Sequence, residues 1–382
     1  MPEPSKVIKA EAERLGFSFA GSALPLQTAH YANYLRWLQN SHAGNMRYME
    51  NERAISIRSD PSQLLEGARS VMVLTHAYPP ARYTSSPVSP SGSPLGRIAS
   101  YACGEDYHVF LKGKVRRLVE NVERILGAAI SHRIFIDSSS LMEKDLAYMA
   151  GAGWIGRNSL LLTQQNGSFQ FIACILSDLE LPPGAPLSSD ICTACQACVV
   201  ACPTQCILPD RTIDARKCIS YQTIENKGII PRELRAKMGN WVFGCDICQM
   251  VCPLNQNLLD RQTSDPTKTP GGDVDLVEQL KLRQEEFMSR YQHSAIVRAT
   301  HQGFKRNLII ALANSGDQVA IPMLEQILSN DSSALLRQCA AWALGELGGR
   351  QSQQVFGKAA LKEKNIDVLE EIKITLNTRS NK

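Results

Sequence analysis

Cys192-Thr193-Ala194-Cys195-Gln196-Ala197-Cys198-Val199-Val200-Ala201-Cys202-Pro203 is the stretch on which the reading of this chain turns. Its C-x2-C-x2-C-x3-C-P spacing is one that holds [4Fe–4S] clusters, and in two-cluster proteins the fourth cysteine ligates the other cluster. A second arm follows, Cys245-x2-Cys248-x3-Cys252-Pro253, with Cys218 lying upstream of it. The spacing has a physical basis. Two-residue gaps let one tight loop wrap three corners of a cubane. The longer gap and the proline send the fourth cysteine away from that loop, because Pro ends regular helix. A crossed assignment follows. Cys192, Cys195 and Cys198 take one cluster with Cys252; Cys245, Cys248 and Cys218 take the other with Cys202. Cys218 stands in for the cysteine expected just before Cys245, and Cys206 is its nearest competitor. Tetrahedral zinc is the alternative use of paired C-x2-C arms, but it rarely needs two Cys-Pro exits. Disulfides are disfavoured, since MPEPSKVIKAEAERLGF has no apolar signal-peptide core. Reduced thiols and a cytoplasmic location are expected.

Composition sets the bounds. A chain of 382 residues with 44% hydrophobic content is long and apolar enough for two or three domains with real cores. No apolar run approaches the ~20 residues of a membrane span. The net charge of +4 is too weak to announce a nucleic-acid partner, but its distribution says more. Residues 281–310 hold Lys281, Arg283, Arg290, Arg298, Lys305 and Arg306 against only Glu285 and Glu286. A solvated helix face is the bland use of such a window; contact with a phosphate backbone is the sharper one.

Around the cysteine arms the chain divides by pattern into three blocks. Residues 1–183 read as an α/β domain, with helical periodicity at Ser5–Leu15, His30–Glu50 and Phe110–Ile130, and strand-like runs at 70–75, 133–136 and 169–175. Pro79–Arg97, rich in proline and serine, reads as a lid or a disordered loop. Residues 184–262 form a ferredoxin-like two-cluster domain, within which Ile224–Trp241 is partly helical and Pro231 starts a helix. The polar stretch Asp260–Asp275 reads as a linker. Residues 276–382 are helical and repetitive. Asn307–Gly316 aligns with Cys339–Gly348 at a period of 32, and each is followed by a second amphipathic helix, Ile321–Leu328 and then about Ser352–Leu361. Such helix pairs resemble HEAT repeats and present one long face to a partner; an ordinary helical bundle is the alternative.

Three segments of the first block are over-specified for packing: Tyr101-Ala-Cys103-Gly-Glu-Asp106-Tyr107-His108, Phe135-Ile-Asp137-Ser-Ser-Ser-Leu141-Met-Glu143-Lys144, and Ala150-Gly-Ala-Gly153-Trp154-Ile-Gly156-Arg157-Asn158-Ser159. Asp137 follows a strand and precedes a helix, where α/β domains gather ligands. The Ser140-x-x-Glu143 spacing predicts a capping box, which leaves Asp137 outside it. A carboxyl in an apolar pocket holds its proton to higher pH and can deliver it near neutrality; a turn-bonded carboxylate is the structural alternative. Gly151, Gly153 and Gly156 match G-x-G-x-x-G, but after a helix pattern rather than a strand, so they do not make a dinucleotide fingerprint. Close backbone approach to a large planar ligand is the better expectation. Cys103 reads as a buried small hydrophobe or a site thiol.

Taken together, the Asp-Tyr-His stretch, Ile136-Asp137-Ser138, the Ala-Gly-Ala-Gly-Trp-Ile-Gly-Arg-Asn block, both cysteine arms and Asp214-Ala-Arg-Lys-Cys218-Ile-Ser-Tyr221-Gln-Thr-Ile-Glu225 resemble the epoxyqueuosine reductase family over essentially the whole chain. That family is itself similar to reductive dehalogenases. The resemblance implies cobalamin beside two [4Fe–4S] clusters, reduction of epoxyqueuosine at the wobble position of a tRNA anticodon, and Asp137 as proton donor. It implies that Cys103, Asp137, Arg157, Asn158, Ser220, Cys245 and Asp246 lie near the corrin. It implies a tRNA anticodon stem-loop as partner, which the basic window would grip through Lys281, Arg283, Arg298, Lys305 and Arg306, and an electron donor such as a ferredoxin or flavodoxin. A monomer is compatible with an exposed solenoid face. Cys206 departs from the family pattern, where a small residue is expected.

Other classes explain less. An exported dehalogenase-like reductase has no reason for a basic helical tail. A plain electron carrier leaves the first 180 or so residues without a use. A zinc-holding RNA scaffold leaves the Cys-Pro exits unexplained.

Overall fold

The computed structural model describes residues 2–187, 190–260 and 271–380. The chain folds into two compact units that interleave along the sequence. One comprises Met1–Pro80, Gly104–Cys218 and Asp246–Pro270; the other comprises Ala81–Cys103, Ile219–Cys245 and Gly271–Lys382. The expected blocks 1–183, 184–262 and 276–382 are therefore not separate bodies in succession. Within the described residues no helix is long and apolar enough to cross a membrane.

The first unit is built on a four-stranded sheet in the order Phe19–Ala23, Ser70–Ala77, Gln170–Ser177, His132–Phe135. Every pairing is antiparallel, with Val73 opposite Cys174 and Phe135 also opposite Cys174. The three strand-like runs of the sequence are present. The edge strand Phe-Ala-Gly-Ser-Ala was not legible, because its small residues carry no apolar alternation. Antiparallel pairing also removes the parallel-sheet reason for a site after residue 135, so the position of Asp137 is set by its own loop. Val71, Val73, Cys174 and Leu176 pack with Leu146 and Ala147 of the Glu143–Met149 helix in one buried cluster. The Tyr107–Leu126 helix buries Leu111, Val115, Leu118, Val119 and Val122, a stripe at helical spacing. Asp106 accepts from the His108 N–H at its start, and Gly127, with φ of 67°, ends it in the left-handed region.

Glycines 153 and 156 are required by the chain's own packing. They flank the Trp154–Ile155 strand, which pairs with Leu161–Leu162. A Cβ on Gly153 would lie 2.0 Å from the Leu162 carbonyl oxygen, and one on Gly156 would lie 2.6 Å from Leu162 Cδ1.

In the second unit, Leu95–Ile98 lies between Trp241–Phe243, which it pairs in parallel, and Asp273–Asp275, which it pairs antiparallel. Part of the stretch expected as a lid or disordered loop is thus the centre of a small sheet. Gly96 permits it, since a Cβ there would meet Leu276 Cδ2 at 2.4 Å. Of the expected linker, residues 261–270 lie outside the described residues, and Asp273–Asp275 is sheet. Helices Thr300–Ser315, Ile321–Asn330, Ala334–Leu347, Gly349–Lys362 and Ile366–Ser380 follow, and Ala334–Leu347 packs on Thr300–Ser315, the helix one 32-residue period before it, as well as on Ile321–Asn330 and Ile366–Ser380. Leu308–Leu312 and Cys339–Leu344 supply their buried core.

The Ile219–Ile224 helix and the Trp241–Phe243 strand pack on Thr300–Ser315. The reason is a polar nail. Arg306 is wholly buried and donates to the main-chain oxygens of Gln222 (2.6 Å), Asn226 (2.7 Å) and Gly228 (2.6 Å). Asn307 accepts from the same guanidinium at 2.8 and 3.1 Å, and donates to the oxygens of Thr223 and Val242, both at 2.9 Å. A buried main-chain carbonyl left unpaired is costly, so this pair ties the 219–245 segment to the helices.

Candidate functional site

The cysteine loops of the first unit gather as the spacing requires. Two short helices, Ala197–Ala201 and Ile247–Met250, pack on one another and carry the two arms. Asp190 accepts from the Cys192 N–H at 2.9 Å and starts the first loop. Arg157 braces it, with Nε and Nη2 donating to the oxygens of Cys192 (2.8 Å) and Thr193 (2.9 Å). The Cys198 thiol is pushed up by burial and then by the nearness of Cys192, Cys252 and Cys195. These four therefore share one neighbourhood. Cys192 and Cys252 pack with Trp154 and Leu162 in a buried cluster.

Cys252 leaves its loop through a buried network that the sequence did not announce. Asn255 accepts from the Ser168 N–H at 3.0 Å and donates to Ser168 Oγ (2.9 Å) and to the Gln249 carbonyl oxygen (2.7 Å). Ser168 Oγ in turn donates to Gln249 Oε1 at 2.8 Å. Only scattered Ser, Gln and Asn positions encode this, and nothing local marks them as partners.

The second set is centred on Cys202, Cys218 and Cys248. Burial first, and Cys218 next, push the Cys248 thiol up. Cys206 lies among them, its sulfur 3.5 Å from that of Cys202. That contact is the first cause holding the Cys202 thiol down at about 5, and the Cys206 thiol is correspondingly raised. Cys245 closes the Ile219–Cys245 segment of the second unit, three residues before Cys248.

Two observations test whether these residues suit clusters. The donor set is thiols, partly buried and grouped, which need a positive partner once ionised. The Trp154 indole N–H, buried beside Cys192 and Cys252, has no hydrogen-bond partner among the described residues. An unsatisfied buried donor costs about 1–3 kcal/mol, and a cluster sulfur is the kind of acceptor that would relieve it. Among the described residues no three His, Cys, Asp or Glu side chains are placed to hold a single metal ion. A cubane brings its own bulk and takes thiolates at its corners.

Asp137 sits in a separate cradle of the same unit. Its backbone is left-handed, with φ of 50°, which costs an ordinary residue roughly 1–2 kcal/mol. The Tyr107 hydroxyl donates to its carboxylate at 2.5 Å. Tyr107 is fixed by stacking: Tyr78 on Phe171 at 4.4 Å, Phe171 on Tyr107 at 4.4 Å, Tyr107 on His108 at 4.1 Å. The Asp137 N–H donates to both carboxyl oxygens of Glu143, at 2.9 and 3.0 Å. The expected Ser140–Glu143 capping box is thus absent. Met142 occupies the N-cap position of the Glu143–Met149 helix, with no side-chain cap, and Glu143 turns back to the Asp137 loop instead. Burial, and then the charge of Asp137, push the Glu143 carboxyl up to about 8. Lys144, its ammonium lowered by desolvation, donates to the Ser159 oxygen at 2.6 Å. Tyr107, His108 and Lys144 lie in segments the sequence marks as over-specified but gives no role, and Glu143 was expected only as a capping residue.

The other expected corrin neighbours divide between the units. Asn158 and Asp246 are buried in the first. The Asn158 side chain reaches the Cys248 thiol, and Asp246 accepts from Gln249 Nε2 at 2.8 Å. Cys103 and Ser220 belong to the second. The Cys103 thiol donates to the oxygens of Ile98 and Ala99 at 3.6 and 3.5 Å. Ser220 lies in the Ile219–Ile224 helix, its carbonyl accepting from Thr223.

The basic window is less free than its sequence suggests. Arg306 has no exposed group for a phosphate, which corrects its expected role. Lys305 is partly buried, 3.8 Å from Asp331. Arg283, Arg290 and Arg298 are exposed but pair with Glu286, Glu278 and Glu225. Lys281 is exposed.

Comparison with known proteins places this geometry. Residues 191–255 match a 4Fe-4S double cluster binding domain, residues 58–138 match the family described as epoxyqueuosine reductase QueG, and residues 293–377 match HEAT repeats. An epoxyqueuosine reductase of Cyclobacterium marinum is 39% identical, covering 80% of this chain and 95% of its own. A crystal structure of epoxyqueuosine reductase with an epoxyqueuosine-modified tRNA stem loop superposes with a TM-score of 0.87 at 27% identity, covering 97% of each chain. A Bacillus subtilis epoxyqueuosine reductase, described with its catalytic aspartate loop swung out of the active site, superposes with a TM-score of 0.85 at 27% identity, covering 97% of this chain and 98% of its own. With cysteine arms, helical repeats and sequence agreeing over most of its length, this chain belongs to the epoxyqueuosine reductase family of oxidoreductases.

Proposed function

We propose that this chain reduces epoxyqueuosine to queuosine at the wobble position of a tRNA anticodon, with Asp137 as the proton donor. The observation that carries the reading is the Asp137 cradle: a carboxylate on a strained loop, gripped by Tyr107 at its side chain and by Glu143 at its backbone. Strain of this kind, held by surrounding structure, gathers where chemistry is done. The relative whose catalytic aspartate loop swings out supports a loop of the same sort here.

The cysteine loops bring electrons one at a time through two [4Fe–4S] clusters: Cys192, Cys195, Cys198 and Cys252 hold one, and Cys202, Cys218, Cys245 and Cys248 the other. Cobalamin, when bound, supplies the low-potential chemistry that takes oxygen from the epoxide. The fit is supported by His108 Nε2, a buried ring nitrogen at the end of the aromatic stack with no hydrogen-bond partner among the described residues. Asn158 and Asp246 add buried polar groups, and Cys103, Ser220 and Cys245 are further candidates. Arg157 positions the first cluster loop. Asp137 delivers one proton to the reduced product, the epoxide oxygen leaves as water with a second proton drawn from solvent, and Tyr107, donating to Asp137, sets the direction of that carboxyl.

The substrate end of the reading is electrostatic. Lys281, Arg283, Arg298 and Lys305 contact the anticodon stem-loop. Exposed ion pairs such as Arg283–Glu286 are weak and screened by solvent, so their arginines can exchange a carboxylate for a phosphate at little cost. Wobble chemistry needs an unstacked base, which a loop supplies. The chain works as a cytoplasmic monomer fed by a ferredoxin or flavodoxin.

The test is turnover of epoxyqueuosine-containing tRNA by the reconstituted protein with a strong reductant, followed by nucleoside analysis. Asp137→Asn should abolish turnover and leave cluster and cobalamin spectra unchanged. Ordinary turnover in that variant defeats the proton-donor role.

A further inference from the structure

Cys206 stands where the family pattern leads one to expect a small residue, and its surroundings are not those of a filler. An ordinary buried cysteine packs as a small hydrophobe. Cys206, 4% exposed, lies against sulfur: its thiol is 3.5 Å from Cys202 and also hydrogen-bonds Cys218.

The backbone explains the meeting. Gln205, left-handed with φ of 52°, turns the chain just after Cys202-Pro203-Thr204. Ile207 then pairs antiparallel with Ile213, and the Asp214 N–H donates to the Cys206 oxygen at 2.8 Å. Asp214 caps the Ala215–Lys217 turn through the Arg216 N–H at 3.2 Å, and that turn delivers Cys218. The hairpin that returns Cys218 to the site therefore carries Cys206 at its base. Cys202, Cys206 and Cys218 form a run of three touching thiols where the cluster uses two, and Cys218 also neighbours Cys248.

We propose that Cys206 is a reserve ligand of the second [4Fe–4S] cluster, bonding its iron when Cys218 is lost from it. The proposal rests on the ligand assignment given above. In the exchange the iron–sulfur bond to Cys218 breaks and that thiolate takes up a proton. The Cys206 thiol gives its proton to solvent, and its thiolate bonds the same iron. No electron moves, and the cluster charge is unchanged.

The test is iron and acid-labile sulfide content of the full chain reconstituted anaerobically, with electron paramagnetic resonance of the reduced clusters. Cys218→Ala should keep nearly the wild-type iron while the second cluster's spectrum changes. The double variant Cys206→Ala with Cys218→Ala should lose about half of the iron, one cluster of two. The first cluster's signal, retained throughout, reports an intact fold. Loss of half the iron from Cys218→Ala alone overturns the proposal. Unchanged iron in the double variant removes Cys218 from the ligand set, and so defeats the assignment as well as the proposal. Should Cys218→Ala fail to fold, Cys206→Ala decides the matter. It should hold both clusters yet release iron to a chelator several-fold faster than wild type, and an equal rate overturns the proposal.

Discussion

Arg306→Met separates a structural arginine from a nucleic-acid contact. The methionine keeps most of the buried volume and removes the guanidinium. Three main-chain oxygens, of Gln222, Asn226 and Gly228, and the Asn307 side-chain oxygen then lose their donors inside the protein. Hydrogen bonds from a charged donor are worth about 1.5–3 kcal/mol each, but these share one group and do not add. Part of the gain is also offset in wild type, because burial holds this guanidinium down at about 10 and no carboxylate pairs with it among the described contacts. A net loss of about 4 kcal/mol is expected, in the range for breaking a buried charged network. That is a large fraction of the ~5–15 kcal/mol that stabilises a domain. Arg306→Lys should lose most of it too, since one ammonium cannot reproduce the planar fork. Denaturant unfolding measures the loss, and RNA affinity as a function of salt measures the alternative. If Arg306→Lys kept full stability, or if Arg306→Met lowered the salt slope by about one while stability held, the structural account would be refuted.

Three further outcomes follow from the site. Glu143, raised to about 8 in the fold against an ordinary 4.5, keeps a proton that the unfolded chain gives up. Stability should therefore fall as pH rises from about 4.5 to 8, by on the order of 5 kcal/mol; Glu143→Gln should remove that slope, and parallel pH profiles for the two proteins would sink the assignment. Gly153→Ala places a methyl against the Leu162 carbonyl and should destabilise the Trp154 hairpin by a few kcal/mol, about 1–3 for overpacking, read as early loss of the first cluster on heating; wild-type thermal behaviour would contradict the close approach. Trp154→Phe keeps the packing but removes the unpartnered N–H, so the first cluster should stay bound at a more negative potential; an unchanged potential would show that the indole does not address the cluster.

Much of this protein was legible as pattern. The two C-P arms named the clusters, because a cubane constrains thiolate spacing along the chain itself. The 32-residue period named the helical repeats, because each pair must bury the same stripe. The Asp137 segment stood out for the density of its polar residues after a strand. What pattern could not carry was partnership. Glu143 sits where a capping box was expected, and only the fold turned its carboxyl to the Asp137 N–H. The close approach of the Gly-Trp-Ile-Gly block to Leu162 was not legible either, because it depends on which residue the hairpin brings opposite each glycine.

Arg306 marks the boundary most sharply. In sequence it is one of six cations in a basic window, indistinguishable from Arg283 or Arg298. In the structure it is buried and bound to main-chain oxygens that lie about 80 residues away in sequence. Local spacing determines what a segment can ligate or how it repeats, since those demands act between near neighbours. Burial and hydrogen-bond satisfaction act between residues that only the fold brings together. So the chain alone specified the clusters and the repeats, while the tertiary structure decided which cations of the basic window stay exposed and which are buried.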